Sequence, residues 1–242
     1  MKIKEIILGS ILLGGMLTSC HNEKWYCKEG NGSSATKIIN VSSFSKVELE
    51  FDAHVYLSQG PQEVKIVCSD NLLEYIEVDV KGDELVLDVK NGKCLNEVNG
   101  DVKIYISNPN YEELEVCGSG EITSHTALIL SDLDININGS GEINLSNITV
   151  DDYEITVNGS GEVVLSGSSA DDGEIDISGS GDIDLSDLNT DDLTIKISGS
   201  GDAIVDVNNS LDVHISGSGD VRYSGSPNVN SNISGSGSVK KN

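Results

Sequence analysis

Hydrophobic and polar residues alternate one by one along most of this chain. Every second residue is apolar from Glu142 to Ser146, and the pattern returns from Tyr153 to Asn158. Such alternation buries one face of an extended segment and exposes the other, which is typical of a β-strand. No window of the repeats shows apolar residues at helical spacing. The pattern therefore predicts an all-β protein.

The alternation is organised by a repeat. The tripeptide Gly-Ser-Gly occurs seven times at steps of 18 to 21 residues, and aligned positions such as Ile143, Val163 and Ile183 keep their character. One unit is too small to bury its apolar face, whereas stacked units bury it between parallel strands ~4.8 Å apart. We predict a parallel β-helix, or β-solenoid, with coils of ~20 residues. Each coil is expected to hold two short strands and two corners.

The glycines of the tripeptide are expected to form one sharp corner of each coil. Glycine tolerates positive φ, and its missing Cβ lets neighbouring coils approach closely. A phosphate-binding loop is the functional alternative, but such a loop requires a helix and a lysine that follow no copy here. The predicted corner residues are Gly118, Gly120, Gly139, Gly141, Gly159, Gly161, Gly179, Gly181, Gly199, Gly201, Gly217 and Gly219.

Acidic residues recur with the same period and are the nearest thing to a site. Stacked coils would place equivalent carboxylates ~5 Å apart, where they repel by roughly 1 kcal/mol in water. Side chains that spread into salt solution are the plainer interpretation, and weak surface calcium binding is the sharper hypothesis. The first ladder follows the corner and contains Glu142, Glu162, Asp182 and Asp202; the second contains Asp152, Asp172 and Asp192.

The start of the chain carries a targeting signature. An apolar stretch over residues 6–17 is too short to span a bilayer as a stable helix. It ends in Leu-Thr-Ser-Cys, which resembles the lipobox of bacterial lipoproteins, so we expect residues 1–19 to be removed and Cys20 to be acylated. Several acyl chains would anchor the protein firmly to a membrane. An ordinary secretory signal is the alternative.

Charge and cysteine usage narrow the function. The net charge of −25 disfavours nucleic acid as a partner. Export permits disulfides, but the sequence does not choose among the pairings of the four remaining cysteines. Their spacing matches no zinc motif, and the sequence indicates no cofactor. These cysteines are Cys27, Cys68, Cys94 and Cys117.

The chain divides into four regions. After the signal peptide (1–19), residues 20–36 are polar and predict a flexible tether. Residues 37–117 alternate strongly but lack the 20-residue register, which predicts irregular β-coils that cap the solenoid. The Gly-Ser-Gly solenoid itself occupies residues 118–242.

These features together resemble the head GIN domain family of adhesin-like bacterial lipoproteins. The resemblance rests on the lipobox, on the stretches 44–51 and 55–60, on the strands around Leu85 and on the serial Gly-Ser-Gly-acid run. It covers about residues 37–239. It implies a β-helical fold on the cell envelope and brings no catalytic residues.

The expected function is that of a non-enzymatic envelope lipoprotein, acting as a surface adhesin or as a structural or interaction module. A polysaccharide-binding or polysaccharide-degrading β-helix is the alternative; a cleft of convergent acids would favour the enzyme, and a flat aromatic strip the lectin. The four histidines are scattered and predict no nucleophile–base set. The lipid anchor implies the outer membrane, with its periplasmic or surface face left open. The partner in the envelope, matrix or host is likewise open.

Overall fold

The structure, a computed structural model, describes residues 27–90, 93–98 and 100–242. The predicted signal peptide and Cys20 lie outside these residues, as does the first part of the predicted tether. The described residues contain no α-helix, and accordingly none that could cross a bilayer. They form a two-stranded sheet and a 17-stranded sheet whose strands wind into stacked coils. The predicted all-β solenoid is confirmed.

The repeat region stacks in parallel with a register of one coil per tripeptide. Gly139 pairs with Gly159, Gly159 with Gly179, and Gly179 with Gly199. The strands of this region are β11 (Glu121–Ser124), β12 (Leu128–Gly139), β13 (Glu142–Gly159), β14 (Glu162–Gly179), β15 (Asp182–Gly199), β16 (Ala203–Gly217), β17 (Asp220–Gly225), β18 (Asn228–Gly235) and β19 (Ser238–Lys241).

Gly159 shows why the corner needs glycine. Its φ is +138°, and a Cβ there would lie 2.2 Å from the carbonyl oxygen of Gly139 in the preceding coil. That oxygen accepts a hydrogen bond from the amide of Ser160 at 2.8 Å. The second glycine of this copy, Gly161, would place a Cβ 2.5 Å from Ile137. Both glycines therefore allow close stacking, and the first also allows the left-handed bend.

The prediction of two short strands per coil is wrong in one respect. Strands β13, β14 and β15 each run for 18 residues from one Gly-Ser-Gly corner to the next. The opposite bend lies inside the strand, where register shifts separate Leu145 from Ile148 and Ile148 from Asp152. β-Bulges of this kind bend a strand without ending it. The shift also places Gly167 opposite Ile148 and leaves Ser168 exposed, although the sequence period aligns Ile148 with Ser168.

Columns of like residues fill the core of the solenoid. Ile155, Ile175 and Ile195 lie in register and are fully buried. One column departs from this rule, because Tyr153 pairs with Gly173, and Gly173 with Leu193. The tyrosine ring occupies the space above the glycine and its hydroxyl lies 2.9 Å from Oγ1 of Thr190. The missing side chain at Gly173 thus makes room for the largest side chain of the repeat core.

The N-terminal half adds strands in an order that differs from the order of the chain. Strand β3 pairs in parallel with β7 and β10, and β4 pairs with β9 and β11. The first coil, β3–β4, therefore lies between two later ones. The strands of this half are β1 (Lys28–Glu29), β2 (Ser34–Ile39), β3 (Lys46–Leu49), β4 (His54–Gln59), β5 (Glu63–Ser69), β6 (Ile76–Lys81), β7 (Glu84–Val89), β8 (Leu95–Asn96), β9 (Lys103–Asn108) and β10 (Glu113–Gly118).

Antiparallel strands close this end of the molecule. Strand β5 pairs antiparallel with β9 and β2, and β6 pairs antiparallel with β7. The cap thus consists of parallel coils with antiparallel strand pairs added to them. The sequence predicted the irregular coils but not the antiparallel pairs. The same 17-stranded sheet runs through both halves, and residue 118 is the last residue of β10.

Candidate functional site

The acids that follow the corner form a ladder along one edge of the solenoid. Glu121 pairs with Glu142, Glu142 with Glu162, and Glu162 with Asp182. The ladder continues through Asp202 and Asp220, whose amides donate to the carboxylates of the preceding coil at 3.2 and 2.7 Å. The carboxylates of Asp182 and Asp202 therefore satisfy backbone donors of the next coil. We call this set the corner ladder: Glu121, Glu142, Glu162, Asp182, Asp202 and Asp220.

A second row of acids borders a groove on another face. Asp132, Asp152, Asp172 and Asp192 lie in register. Together with a parallel row, the first three line a cavity of 390 Å³ whose wall includes Tyr153 and Gly173. We call this cavity the acidic groove; its carboxylates belong to Asp132, Asp134, Asp152, Glu154, Asp172 and Glu174.

Lysine side chains partly balance the charge of the groove. Lys196 binds Glu174, and Lys46 lies 3.0 Å from Glu113 just beyond the groove. Burial and the nearby Glu113 raise the pKa of Asp134 above its ordinary value. Burial is the main cause of this shift, and the charge of the groove follows from its composition: six carboxylates line it, and the Lys196 ammonium binds one of them. The groove is therefore a surface of unbalanced negative potential.

Three potential ligand atoms converge elsewhere than on the ladders. Glu48, Glu115 and Cys117 each place a potential ligand atom within 4.8 Å of the other two. Among the described residues, this is the one such set of three or more histidine, cysteine or carboxylate groups. The Cys117 thiol lies 3.2 Å from Oε1 of Glu115, and burial, followed by Glu115, raises the pKa of this thiol to about 12. Cys117 is therefore a protonated hydrogen-bond donor at neutral pH.

An aromatic column lies on the outer face of the cap, which sequence reasoning missed. Tyr56 stacks on His54 with ring centroids 4.0 Å apart and on Tyr105 with centroids 4.9 Å apart, both at 16°. The amine of Lys65 lies 4.5 Å from the centroid of Tyr105. Tyr56 is therefore stacked against two other rings. The column is packed ring on ring, unlike the flat open strip on which a sugar would stack.

The in-register pairing of Tyr56 with Tyr105 is what creates this column. Both tyrosines are visible in the sequence, but their pairing depends on a strand order that the sequence pattern does not fix. His54 joins the column to the corner ladder, because its Nδ1 lies 3.3 Å from Oε2 of Glu121. The first acid of the corner ladder, Glu121, thus lies next to the imidazole of His54.

One disulfide closes the N-terminal strands. Cys27 and Cys94 are bonded, and the short strands that follow them, β1 and β8, pair in parallel. Cys68 is buried and free, and Cys117 is free and half-buried. The disulfide and Cys117 line one cavity of 700 Å³. The sequence left the pairing of the four cysteines open, and the structure contains a single disulfide among them, Cys27–Cys94.

Comparison with known proteins places this architecture in a family. The model of the family described as "Putative auto-transporter adhesin, head GIN domain" matches residues 43–227. No curated protein sequence matches the chain.

Solved structures share the fold. A putative adhesin from Bacteroides fragilis superposes with a TM-score of 0.83 at 24% identity, over 88% of this chain and 99% of its own. A putative lipid binding protein from Parabacteroides distasonis has a TM-score of 0.74 at 23% identity, over 90% of this chain and 100% of its own. A putative adhesin from Parabacteroides merdae has a TM-score of 0.72 at 21% identity, over 88% and 98%. At these identities the likeness concerns the fold.

Proposed function

Since this chain belongs to the head GIN domain family, whose description reads "Putative auto-transporter adhesin", we propose that it is a non-enzymatic lipoprotein of the cell envelope. In this proposal Cys20 carries the lipid that holds the protein to the outer membrane. The solenoid works as an adhesin or interaction module toward a partner in the envelope, the matrix or the host. The family description supports the adhesive role and a place at the cell surface or envelope.

The observation that carries the proposal is the repetition of equivalent polar side chains along the coil stack. In the corner ladder and the acidic groove, carboxylates recur in register from coil to coil. A partner can therefore engage several equivalent groups at once, and linked weak contacts add to a high avidity. Aspartates such as Asp182 and Asp202 also accept backbone hydrogen bonds from the next coil, which is a structural role. The repetition of the carboxylates supports a binding surface. The backbone hydrogen bonds that Asp182 and Asp202 accept support a structural role for these acids rather than a catalytic one.

An attachment assay with intact cells tests this proposal. Cells that lack the protein are complemented with the wild-type chain or with the Cys20→Ala variant. We expect the wild type to remain with membranes and to restore attachment, and the variant to fold but to leave the membrane fraction and fail to restore attachment. Retention of the Cys20→Ala variant on membranes would contradict the lipid anchor. Equal attachment of cells with and without the wild-type chain would contradict the adhesive role.

A further inference from the structure

Strand β18 is an exposed edge of the 17-stranded sheet. Its one hydrogen-bonded neighbour among the described residues is β16, and all eight of its residues are exposed. An edge strand of this length offers unpaired amides and carbonyls to another strand.

The core of the solenoid is open at this edge. Val229 and Ile233 continue the buried columns of Leu211 and Ile215, which are at most 2% exposed. Val229 and Ile233 are each 39% exposed, and no further coil among the described residues covers them. Ser231, between them, continues the column of the buried Val213. Two apolar side chains on the core side of β18 are therefore partly exposed at the end of the stack.

The charge pattern changes at the same coil. Asp212 pairs with Asn230, and Asp220 pairs with Ser238, so that acidic positions become neutral. Residues 221–242 contain no aspartate or glutamate in a chain of net charge −25. Any earlier coil would repel a second copy through its ladders, whereas β18 carries no charged side chain. On the other side of the coil, Lys240 and Lys241 of β19 blunt that edge against pairing.

The sequence of β18 is nearly symmetric about its centre. Reading outward from Ser231, Asn230 is matched by Asn232, Val229 by Ile233 and Asn228 by Ser234. When a strand pairs antiparallel with its own copy, each residue before the centre lies opposite the residue that is equally far beyond the centre in the other copy. With Ser231 at the centre, Val229 then faces Ile233, Asn230 faces Asn232, and Asn228 faces the hydroxyl of Ser234.

We propose that β18 is a self-association surface, where two copies of this chain pair β18 antiparallel about a two-fold axis that passes between their Ser231 residues. Val229 of one copy lies opposite Ile233 of the other, and the two hydrophobic cores become continuous. A two-fold interface uses the same patch on both copies and is closed after two. The other edges, β2 and β6, carry Lys37, Glu77, Asp79 and Lys81 and lack this symmetry. The result is a tail-to-tail dimer, whereas a head-to-tail contact would extend into a filament.

Cysteine cross-linking tests the register of this dimer on the full chain, solubilised in detergent at micromolar concentration. Opposite residues of an antiparallel pair have Cα atoms ~4.5–5.5 Å apart, within the range a disulfide spans. Ser231→Cys is therefore expected to give a covalent dimer on mild oxidation, at least tenfold more than the exposed control Ser198→Cys. The unmodified chain sets the background from its native thiols. Asn230→Cys and Asn232→Cys should cross-link when mixed and much less when each is oxidised alone.

A second variant separates pairing from chance collision. Ile233→Asp, added to Ser231→Cys, places a charge in the predicted contact and should reduce the covalent dimer to the level of Ser198→Cys. Because Ile233 is partly exposed, the melting temperature of the monomer should hardly change. Cross-linking of Ser231→Cys at the control level, persistence of the dimer in the Ile233→Asp variant, or equal self-linking by Asn230→Cys would each overturn the proposal.

Discussion

At the scale of single residues, the corner glycine Gly159 carries two separate constraints. Replacement by alanine would put a methyl group 2.2 Å from the Gly139 carbonyl oxygen and hold it at a φ of +138°. We expect Gly159→Ala to lower the free energy of unfolding by ~3 kcal/mol or more, from backbone strain and overpacking together. This corresponds to a drop in melting temperature of roughly 6 °C or more.

Gly82 provides the matched control for that measurement. Its φ is +75°, but a Cβ there would meet nothing within 4 Å. Gly82→Ala therefore isolates the conformational cost, ~1 kcal/mol. If the two variants melt at the same temperature, close stacking of the corners does not constrain the sequence, and the interpretation of the tripeptide is wrong.

Glu48 gives a pH-dependent prediction. Burial, and then the nearby Glu50, Glu84 and Glu115, raise the pKa of its carboxyl above the ordinary value in the folded protein. Ionisation of Glu48 therefore costs stability, and this cost appears as the pH rises through its pKa. Glu48→Gln should raise the melting temperature at pH 7 by roughly 1–3 °C, and the gain should vanish near pH 4, where Glu48 is protonated.

The exposed Glu63 serves as the control because Glu63→Gln removes the same formal charge from an open position. A gain at pH 7 that is no larger for Glu48→Gln than for Glu63→Gln would mean that only net charge matters. The measurement is the melting temperature of each variant at both pH values.

At the scale of the elements, Tyr153 and Gly173 form a coupled pair across neighbouring coils. A Cβ at Gly173 would lie 2.4 Å from the Tyr153 ring, so Gly173→Leu alone should destabilise strongly. Tyr153→Leu alone leaves the Thr190 hydroxyl without its partner and a space above the glycine. Leucine at both positions would continue the column of Leu133 and Leu193.

We therefore expect the double variant to be more stable than the sum of the single losses predicts, by ~2 kcal/mol or more. Denaturant unfolding of the four proteins in the cycle measures this coupling. Additive losses would show that the tyrosine and the glycine do not share one space.

The repeat shows what the sequence can predict at this scale. The 20-residue period and the period-two alternation determine the local pairing, and the structure confirms the stacking of Gly139, Gly159 and Gly179. The bulge at Ile148 escapes prediction because it changes the pairing without changing the repeat length. In the sequence, Gly173 interrupts a column of apolar residues. The structure explains this interruption, because the Tyr153 ring fills the space that a side chain at 173 would need.

The N-terminal half could be predicted only as β-rich. Its strands lack a repeat, so nothing in the local pattern says that β3 lies between β7 and β10. The Cys27–Cys94 pairing, which the sequence left open, joins the ends of β1 and β8 in a separate two-stranded sheet. The stack of Tyr56 on Tyr105 was missed because it depends on the pairing of β4 with β9, which the local pattern does not determine. The acid ladders, in contrast, follow directly from the repeat.

At the scale of the whole molecule, the ladders make stability depend on salt. Equivalent carboxylates one coil apart repel, and added ions screen this repulsion over a Debye length of ~10 Å at 0.1 M. The melting temperature should therefore rise with sodium chloride. The calcium hypothesis for Glu142, Glu162, Asp182 and Asp202, or for Asp152, Asp172 and Asp192, is tested by millimolar calcium at matched ionic strength.

We expect calcium and sodium to give equal shifts, because the ladder aspartates Asp182 and Asp202 already accept backbone hydrogen bonds. A clearly larger shift with calcium would contradict the screening account and establish ion binding. Glu142→Gln together with Glu162→Gln should reduce the salt dependence, since it removes two adjacent charges from the corner ladder.

Because the adhesive role requires the outer of the two membrane faces that the sequence leaves open, we propose that a lipid at Cys20 presents the solenoid on the cell surface. Protease treatment of intact cells tests this proposal most directly. Digestion of intact cells should remove the wild-type solenoid from the outer membrane while a periplasmic marker stays whole. The Cys20→Ala variant should be absent from the membrane before digestion. A wild-type chain that is cleaved only after the outer membrane is permeabilised would contradict surface display.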